Sequence, residues 1–177
     1  MKLLLHICCA PCSASAVAAL KDDFDISFYW HNPNIYDEEE YVKRKEAAVK
    51  YAAALGFKFF EEKDFSYDYS SWKSKSNELC SLCYEIRLEK AAIFAKNNGF
   101  DYFSTSLLSS PYQKHDLIKE TAEKISTVPG VKFLYKDFRP GFYDGKNLLK
   151  RQGYYTQKYC ACEKSLKGNY KLRRVDV

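Results

Sequence analysis

The sequence predicts an α/β fold: a mostly parallel sheet of about five strands with helices on both faces, in a Rossmann-like (HUP-like) three-layer arrangement. Three observations predict it. Strand-like and helix-like segments alternate along nearly the whole chain. The strand segments are short apolar runs such as "KLLLHI", which suit strands covered on both faces. The polar residues able to do chemistry fall just after those runs, where folds of this class place their sites, so a cysteine-rich site is expected at the carboxyl ends of the strands.

Each element has its own signal. "KLLLHI" (2–7) reads as a buried strand and "SASAVAALKD" (13–22) as a short helix that Ser13 caps. "FDISFYWH" (24–31) is a second strand, closed by the turn signal "NPN". The best helix follows, with Asp37 as N-cap and Glu40 three residues on in a capping-box pattern. Its apolar face runs through Tyr41, Ala48, Tyr51, Ala52 and Leu55, and Gly56 supplies the stop. "FKFFE" (57–61) is a third strand, and residues 62–79 read as a loop with a short helix. Cys80-x-x-Cys83 opens the helix "YEIRLEKAAIFAKNN" (84–98), which Gly99 ends. "DYFSTSLL" (101–108) is a fourth strand, "QKHDLIKETAEKIS" (113–126) a helix, "VKFLYKDF" (131–138) a fifth strand and "GKNLLKRQG" (145–153) a last short helix.

With 177 residues and neither repeat nor linker, residues 1–177 are expected to form a single α/β domain. A hydrophobic fraction of 46% with 29% charged residues fits a soluble globular chain. No stretch approaches the roughly 18 uninterrupted apolar residues of a membrane span, and "MKLLLHICC" is too short for a signal-peptide core. A cytoplasmic protein without a membrane partner is therefore expected. The net charge of +5 is uneven, because residues 131–177 carry 12 Lys+Arg against 4 Asp+Glu. That basic part interleaves Phe138, Phe142, Tyr143, Tyr154, Tyr155, Tyr159 and Tyr170, and cations beside rings suit unpaired RNA loops. A solvated charged surface over core aromatics explains the same composition.

Seven cysteines in a reducing compartment point to metal or redox chemistry rather than structural disulfides. They fall in three groups, Cys8-Cys9-x-x-Cys12, Cys80-x-x-Cys83 and Cys160-x-Cys162. Cys12 and Cys83 stand at the starts of expected helices, where the helix dipole favours thiolates. Spacing alone leaves structural zinc, an iron–sulfur cluster and a thioredoxin-like pair at Cys80/Cys83 open. His31, Tyr112 and His115 are the candidate acids or bases, whereas His6, inside the first strand, reads as structural. Arg87 and Arg139 are candidates to clamp a phosphate, and Asn32, Asn34, Gln113 and Tyr155 complete the candidate substrate-binding set.

Six segments in order carry a resemblance. They are "HICCAPC" (6–12), "HNPNIYDEEEYVKRK" (31–45), "CSLCYEIRL" (80–88), "FSTSLLSSPYQKHDLI" (103–118), "FLYKDFRPGFYDG" (133–145) and "QGYYTQKYCAC" (152–162). From about residue 2 to about residue 165 the chain resembles the QueH-type epoxyqueuosine reductases. The resemblance implies a cobalamin-independent oxidoreductase that removes the epoxide oxygen of epoxyqueuosine in the anticodon loop, the last step of queuosine formation. Its implied partners are tRNA with a GUN anticodon and an external electron donor. Its implied cofactors are a [4Fe-4S] cluster and an additional mononuclear iron. On this reading Cys8, Cys9, Cys80 and Cys83 carry most of the cluster ligation, and Cys160 and Cys162 complete the site as ligands or as a redox pair. Cys12 occupies a position that is variable in the family and often aspartate. Leu79, Asp144 and Ala161 depart from the family pattern and bear on substrate contacts more than on metal binding.

Two other readings compete. A zinc-stabilised RNA-binding protein would explain the cysteines and the basic end, but not the polar turns "HNPN" and "SPYQKH". An ATP-pyrophosphatase-like enzyme would carry a serine- and glycine-rich loop after the first strand, where "CCAPCS" has no glycine.

Overall fold

A computed structural model describes residues 1–35, 37–62, 80–126, 130–160 and 162. The loop and short helix expected over 62–79 fall almost wholly outside the described residues, as does most of the basic end beyond 160. The strands are β1 (Lys2–His6), β2 (Asp25–Trp30), β3 (Phe59–Glu61), β4 (Tyr102–Thr105) and β5 (Lys132–Phe133). The described helices, here numbered in chain order, are α1 (Ala10–Leu20), α2 (Glu38–Leu55), α3 (Cys80–Asn97), α4 (His115–Ile125) and α5 (Phe142–Arg151). Short 3₁₀ turns at Ser106–Ser109 and Arg139–Gly141 precede α4 and α5.

All pairings are parallel, in the order β3-β2-β1-β4-β5, with β1 central. Successive residues of a strand point to opposite faces. Leu3 and Leu5 pack with Phe28 in the cluster that includes Ala14 of α1 and Ala48 of α2. Leu4 packs on the other side with Tyr29, Phe103 and the alanines Ala91, Ala92 and Ala95 of α3. Both faces are covered, which is why these strands are apolar runs. The order reverses at β1, whose two neighbours β2 and β4 lead into loops on either side, and this opens a crevice above its carboxyl end.

Several boundaries differ from expectation, each with a local cause. α1 starts three residues before Ser13, because the Cys9 thiol accepts the backbone N–H of Cys12 as N-cap and Pro11 suits the first turn. Ser13 instead donates its hydroxyl back to the carbonyls of Cys9 and Ala10. α3 likewise takes Cys80 and Cys83 into its first turn. Asp37 does cap α2, accepting the N–H of Glu40 at 2.8 Å, and Gly56 ends it at φ 70°. Its buried face, however, includes Glu40 and Arg44, which hold each other through Arg44 Nε and Glu40 Oε1 at 2.6 Å. β5 is two residues long, pairing only Lys132 and Phe133 with Tyr102 and Phe103, and the next carbonyl, that of Leu134, accepts the Ser104 hydroxyl.

Candidate metal centre

Above β1 lies a cavity of about 320 Å³ lined by residues of β1–α1, α2, α3, the β4–α4 turn, α5 and the segment after α5. None of the seven cysteines forms a disulfide. Cys8, Cys9 and Cys12 present three sulfurs that all lie within 4.8 Å of one another, the one such group of candidate metal ligands among the described residues. The Cys8 N–H donates to Ser106 Oγ at 3.1 Å, which ties the end of β1 to the turn after β4. Hydrogen bonds from the Cys12 and Cys9 thiols hold Cys8 well below the ordinary thiol range, aided by the Arg87 charge and the Ser106 hydroxyl. Cys9 and Cys12 move the opposite way: burial raises Cys9, and sharing its proton with Cys8 and Cys9 raises Cys12. The trio therefore carries one favoured thiolate at the N-terminus of α1.

The other four cysteines interact with one another without forming so close a group. Cys160 hydrogen-bonds to Cys162, which raises it, and accepts an N–H from Gln113 Nε2 at 3.2 Å. Cys83 is raised by burial and feels the charges of Arg87, Cys80 and Cys162. Between the groups lies Arg87, 1% exposed, its Nη1 3.8 Å from Cys83 Sγ and its Nη2 donating to Asn32 Oδ1 at 2.7 Å. Asn32 is fixed in turn by donating to the Ile7 carbonyl. Burial works against the guanidinium charge, but the sulfurs of Cys83, Cys8 and Cys160 outweigh it and raise Arg87. A buried cation needs anionic company, and here the favoured Cys8 thiolate supplies it.

The structure places the remaining candidates as follows. Tyr112 and Gln113 line the cavity; Tyr112 Oη lies 3.1 Å from Tyr143 Oη, and Gln113 Oε1 accepts from Tyr84 at 2.6 Å. His31 is not among the lining side chains: its ring packs against Tyr29, and burial lowers it to about 4. His115 also lies outside the lining, with Nε2 3.0 Å from Tyr135 Oη, and burial lowers it. Arg139 is committed to Asp137 through Nε and Nη2. Tyr155 donates to Glu40, and Asn34 is buried with its Oδ1 unpartnered among the described residues. Of the cysteines expected to share a cluster, Cys8 and Cys9 lie in one close group with Cys12, and Arg87 interacts with both Cys8 and Cys83.

Three further side chains belong to the site. Gln157 donates through Nε2 to Cys9 Sγ at 2.6 Å and to Cys12 Sγ at 3.4 Å. Arg44, 3% exposed, lines the cavity and donates to the Tyr159 carbonyl at 2.9 Å. Ser106 completes the Cys8 contacts. The sequence signal for Arg44 is its spacing, since Glu40, Arg44, Ala48 and Tyr51 fall on one helical face and a charged pair interrupts an apolar stripe.

Comparisons with known proteins show the family and the fold. The chain is similar to epoxyqueuosine reductase QueH of Dehalococcoides mccartyi, with 36% identity over 164 residues that cover 91% of this chain and 90% of that protein. It is similar to epoxyqueuosine reductase QueH of Thermotoga maritima at 33% identity, covering 93% and 90%. In fold it is similar to the U34-tRNA thiolase NcsA from Methanococcus maripaludis, solved with its [4Fe-4S] cluster, at a TM-score of 0.62 and 14% identity, covering 93% of this chain and 62% of that one. The sequence model of the family described as epoxyqueuosine reductase QueH matches residues 3–168, from the first strand through all three cysteine groups. A parallel sheet with thiols gathered at its carboxyl ends is thus the frame of an oxidoreductase, and the chain belongs to the epoxyqueuosine reductase QueH family.

Proposed function

We propose that this chain reduces epoxyqueuosine to queuosine in tRNA with a GUN anticodon, using iron held by both thiol groups. The observation that carries the reading is a cavity lined by Cys8, Cys12, Cys160 and the buried cations Arg44 and Arg87, with the sulfurs of Cys8, Cys9 and Cys12 lying within 4.8 Å of one another. The donor chemistry fits iron. A four-iron cluster takes four cysteine thiolates, which is the number in Cys80, Cys83, Cys160 and Cys162. A reacting metal keeps a position open beyond three protein ligands, which is the number in Cys8, Cys9 and Cys12. The [4Fe-4S] cluster of the similarly folded thiolase supports the assignment. When bound, the iron supplies electrons and a Lewis-acidic position for an oxygen.

The chain's own groups do the rest. Two electrons from an external donor and two protons convert the epoxide to a carbon–carbon double bond and water. A cavity of about 320 Å³ admits one base with its attached ring rather than a stacked loop, so the target nucleotide enters flipped out. Phe142 and Tyr159 line it as stacking surfaces, and Lys146 and Lys158 line it as phosphate partners. The Tyr112 hydroxyl, relayed to Tyr143, holds the proton that goes to the epoxide oxygen as the C–O bond breaks. His31 and His115 lie outside the lining, which favours Tyr112 over either of them as the proton donor.

Anaerobic purification with iron, sulfide and zinc analysis, and spectra before and after dithionite, tests the reading. Iron at about four to five per chain, acid-labile sulfide, a bleaching absorbance and conversion of epoxyqueuosine-containing tRNA are expected. Stoichiometric zinc without sulfide, and no conversion, would overturn it.

A further inference from the structure

The segment after α5 is latched onto the three-thiol group. Tyr154 packs edge-on against Tyr51 of α2, with ring centroids 5.8 Å apart. Tyr155 donates to one oxygen of Glu40, Arg44 occupies the other, and Arg44 also donates to the Tyr159 carbonyl and lies 5.4 Å from the Tyr159 ring. Between these anchors hangs Gln157, its amide N–H₂ directed at the sulfurs of Cys9 and Cys12. Its Oε1 is buried with no partner among the described residues. A buried amide oxygen left unpaired is unfavourable by roughly 1–3 kcal/mol, so this orientation is held by what the N–H groups meet. What they meet is two thiols that, as free S–H groups, would offer their own hydrogens to an amide oxygen instead. An amide that turns its donors to sulfur is arranged for Cys9 and Cys12 as the thiolates they become when they hold a metal, since without one it is Cys8 that carries the favoured thiolate.

We infer that Gln157 is a positioning residue that tunes a metal held by Cys8, Cys9 and Cys12, and that the Glu40–Arg44 pair sets its reach. The inference rests on the assignment of a metal to the three-thiol group. Each N–H···S hydrogen bond draws electron density from a sulfur, so the thiolates donate less to the metal and leave it a stronger acceptor for a substrate oxygen. Residues that orient a ligand from behind in this way matter to a site as much as the ligand count does.

Cobalt(II) titrated anaerobically into the reduced, metal-free chain is the probe, because thiolate-to-cobalt charge-transfer bands report sulfur electron density. The band that Cys12→Ala removes belongs to the three-thiol group. In Gln157→Leu that band is expected to move to lower energy, since the sulfurs become more electron-rich, while bands from the four-thiol group stay in place. Arg44→Lys keeps the charge but weakens the hold on the Tyr159 carbonyl, and a smaller shift of the same sign is expected. An unmoved band in Gln157→Leu would overturn the inference. So would complete loss of the band in a variant that circular dichroism shows to be folded, because Gln157 would then be a support rather than a tuner. A wild-type spectrum with no band sensitive to Cys12→Ala would overturn both this inference and the three-thiol assignment, whereas iron and sulfide analysis judges the reductase reading separately.

Discussion

At the scale of single residues, the buried cation and the buried imidazole make different demands. Arg87 has Asn32 and sulfur for company, and its Nε has no hydrogen-bond partner among the described residues. Arg87→Met removes the donor from Asn32 Oδ1 and the charge from between the thiol groups. An unfolding free energy lower by about 1–3 kcal/mol is expected from chemical denaturation, together with faster loss of iron to a chelator. Arg87→Lys keeps the charge without the fork and should retain iron better than Met does. His31 makes a pH-dependent demand. Burial holds it at about 4 in the folded chain against an ordinary 6.5. Between those values the unfolded chain binds the proton and the folded chain does not. The stability present above pH 6.5 is therefore lost as the pH falls toward 4, by at most about 1.4 kcal/mol per pH unit. His31→Gln should reduce the slope of denaturation midpoints across that window, leaving the part due to His6, which burial lowers to about 3, and a slope equal to that of the wild type would show that the His31 ring titrates freely in the folded state.

At the scale of elements, the closest packing of the site depends on a missing side chain. A Cβ on Gly145 of α5 would stand 2.9 Å from Ala14 Cβ and 3.1 Å from the Ser15 backbone nitrogen of α1. Alanine at an ordinary helical position gains up to about 1 kcal/mol over glycine. Here the contact is with another helix's backbone and cannot be relieved by a rotamer, so Gly145→Ala is expected to lose about 1–3 kcal/mol net, and Gly145→Val more. Thermal unfolding checks the sign, since a raised midpoint would mean that α5 can move off α1 freely. The sequence made α2 legible because its cap, stripe and glycine stop agree with one another. It left the start of α1 illegible, because a cysteine that caps a helix carries none of the usual capping signals, whereas α3 begins at the Cys80-x-x-Cys83 pair that the sequence places at its opening. β5 is shorter than the strand-like run "VKFLYKDF" suggests, because only Lys132 and Phe133 pair with β4 although β4 continues to Thr105.

At the scale of the whole molecule, what could be read from the chain is the frame, and what could not is the grouping. Parallel strands bring the ends of β1, β2 and β4 to one crevice, so cysteines after β1 and polar turns after β2 and β4 announce a shared site. Which thiols meet depends on contacts that no spacing encodes, above all the Glu40–Arg44 pair that draws the segment bearing Gln157 and Cys160 over the cavity. This division of labour predicts the behaviour of the metal-free chain. The large buried side chains of the sheet, Leu3, Leu4, Leu5, Phe28 and Phe103, are fully enclosed, mostly by other apolar side chains of the strands and helices. Each contributes roughly 1.5–3 kcal/mol of burial, so the sheet and its helices stand without metal, unlike small zinc domains that unfold when stripped. Exhaustive chelation under reducing conditions should therefore leave the far-ultraviolet circular dichroism nearly unchanged and lower the melting midpoint only by the free energy of metal binding. The segment after α5 is held by a few polar contacts and by the thiols themselves, and it should become the first site of proteolytic cleavage. Global unfolding on chelation would instead mean that the metal organises the sheet and that the frame is not independent of its centre.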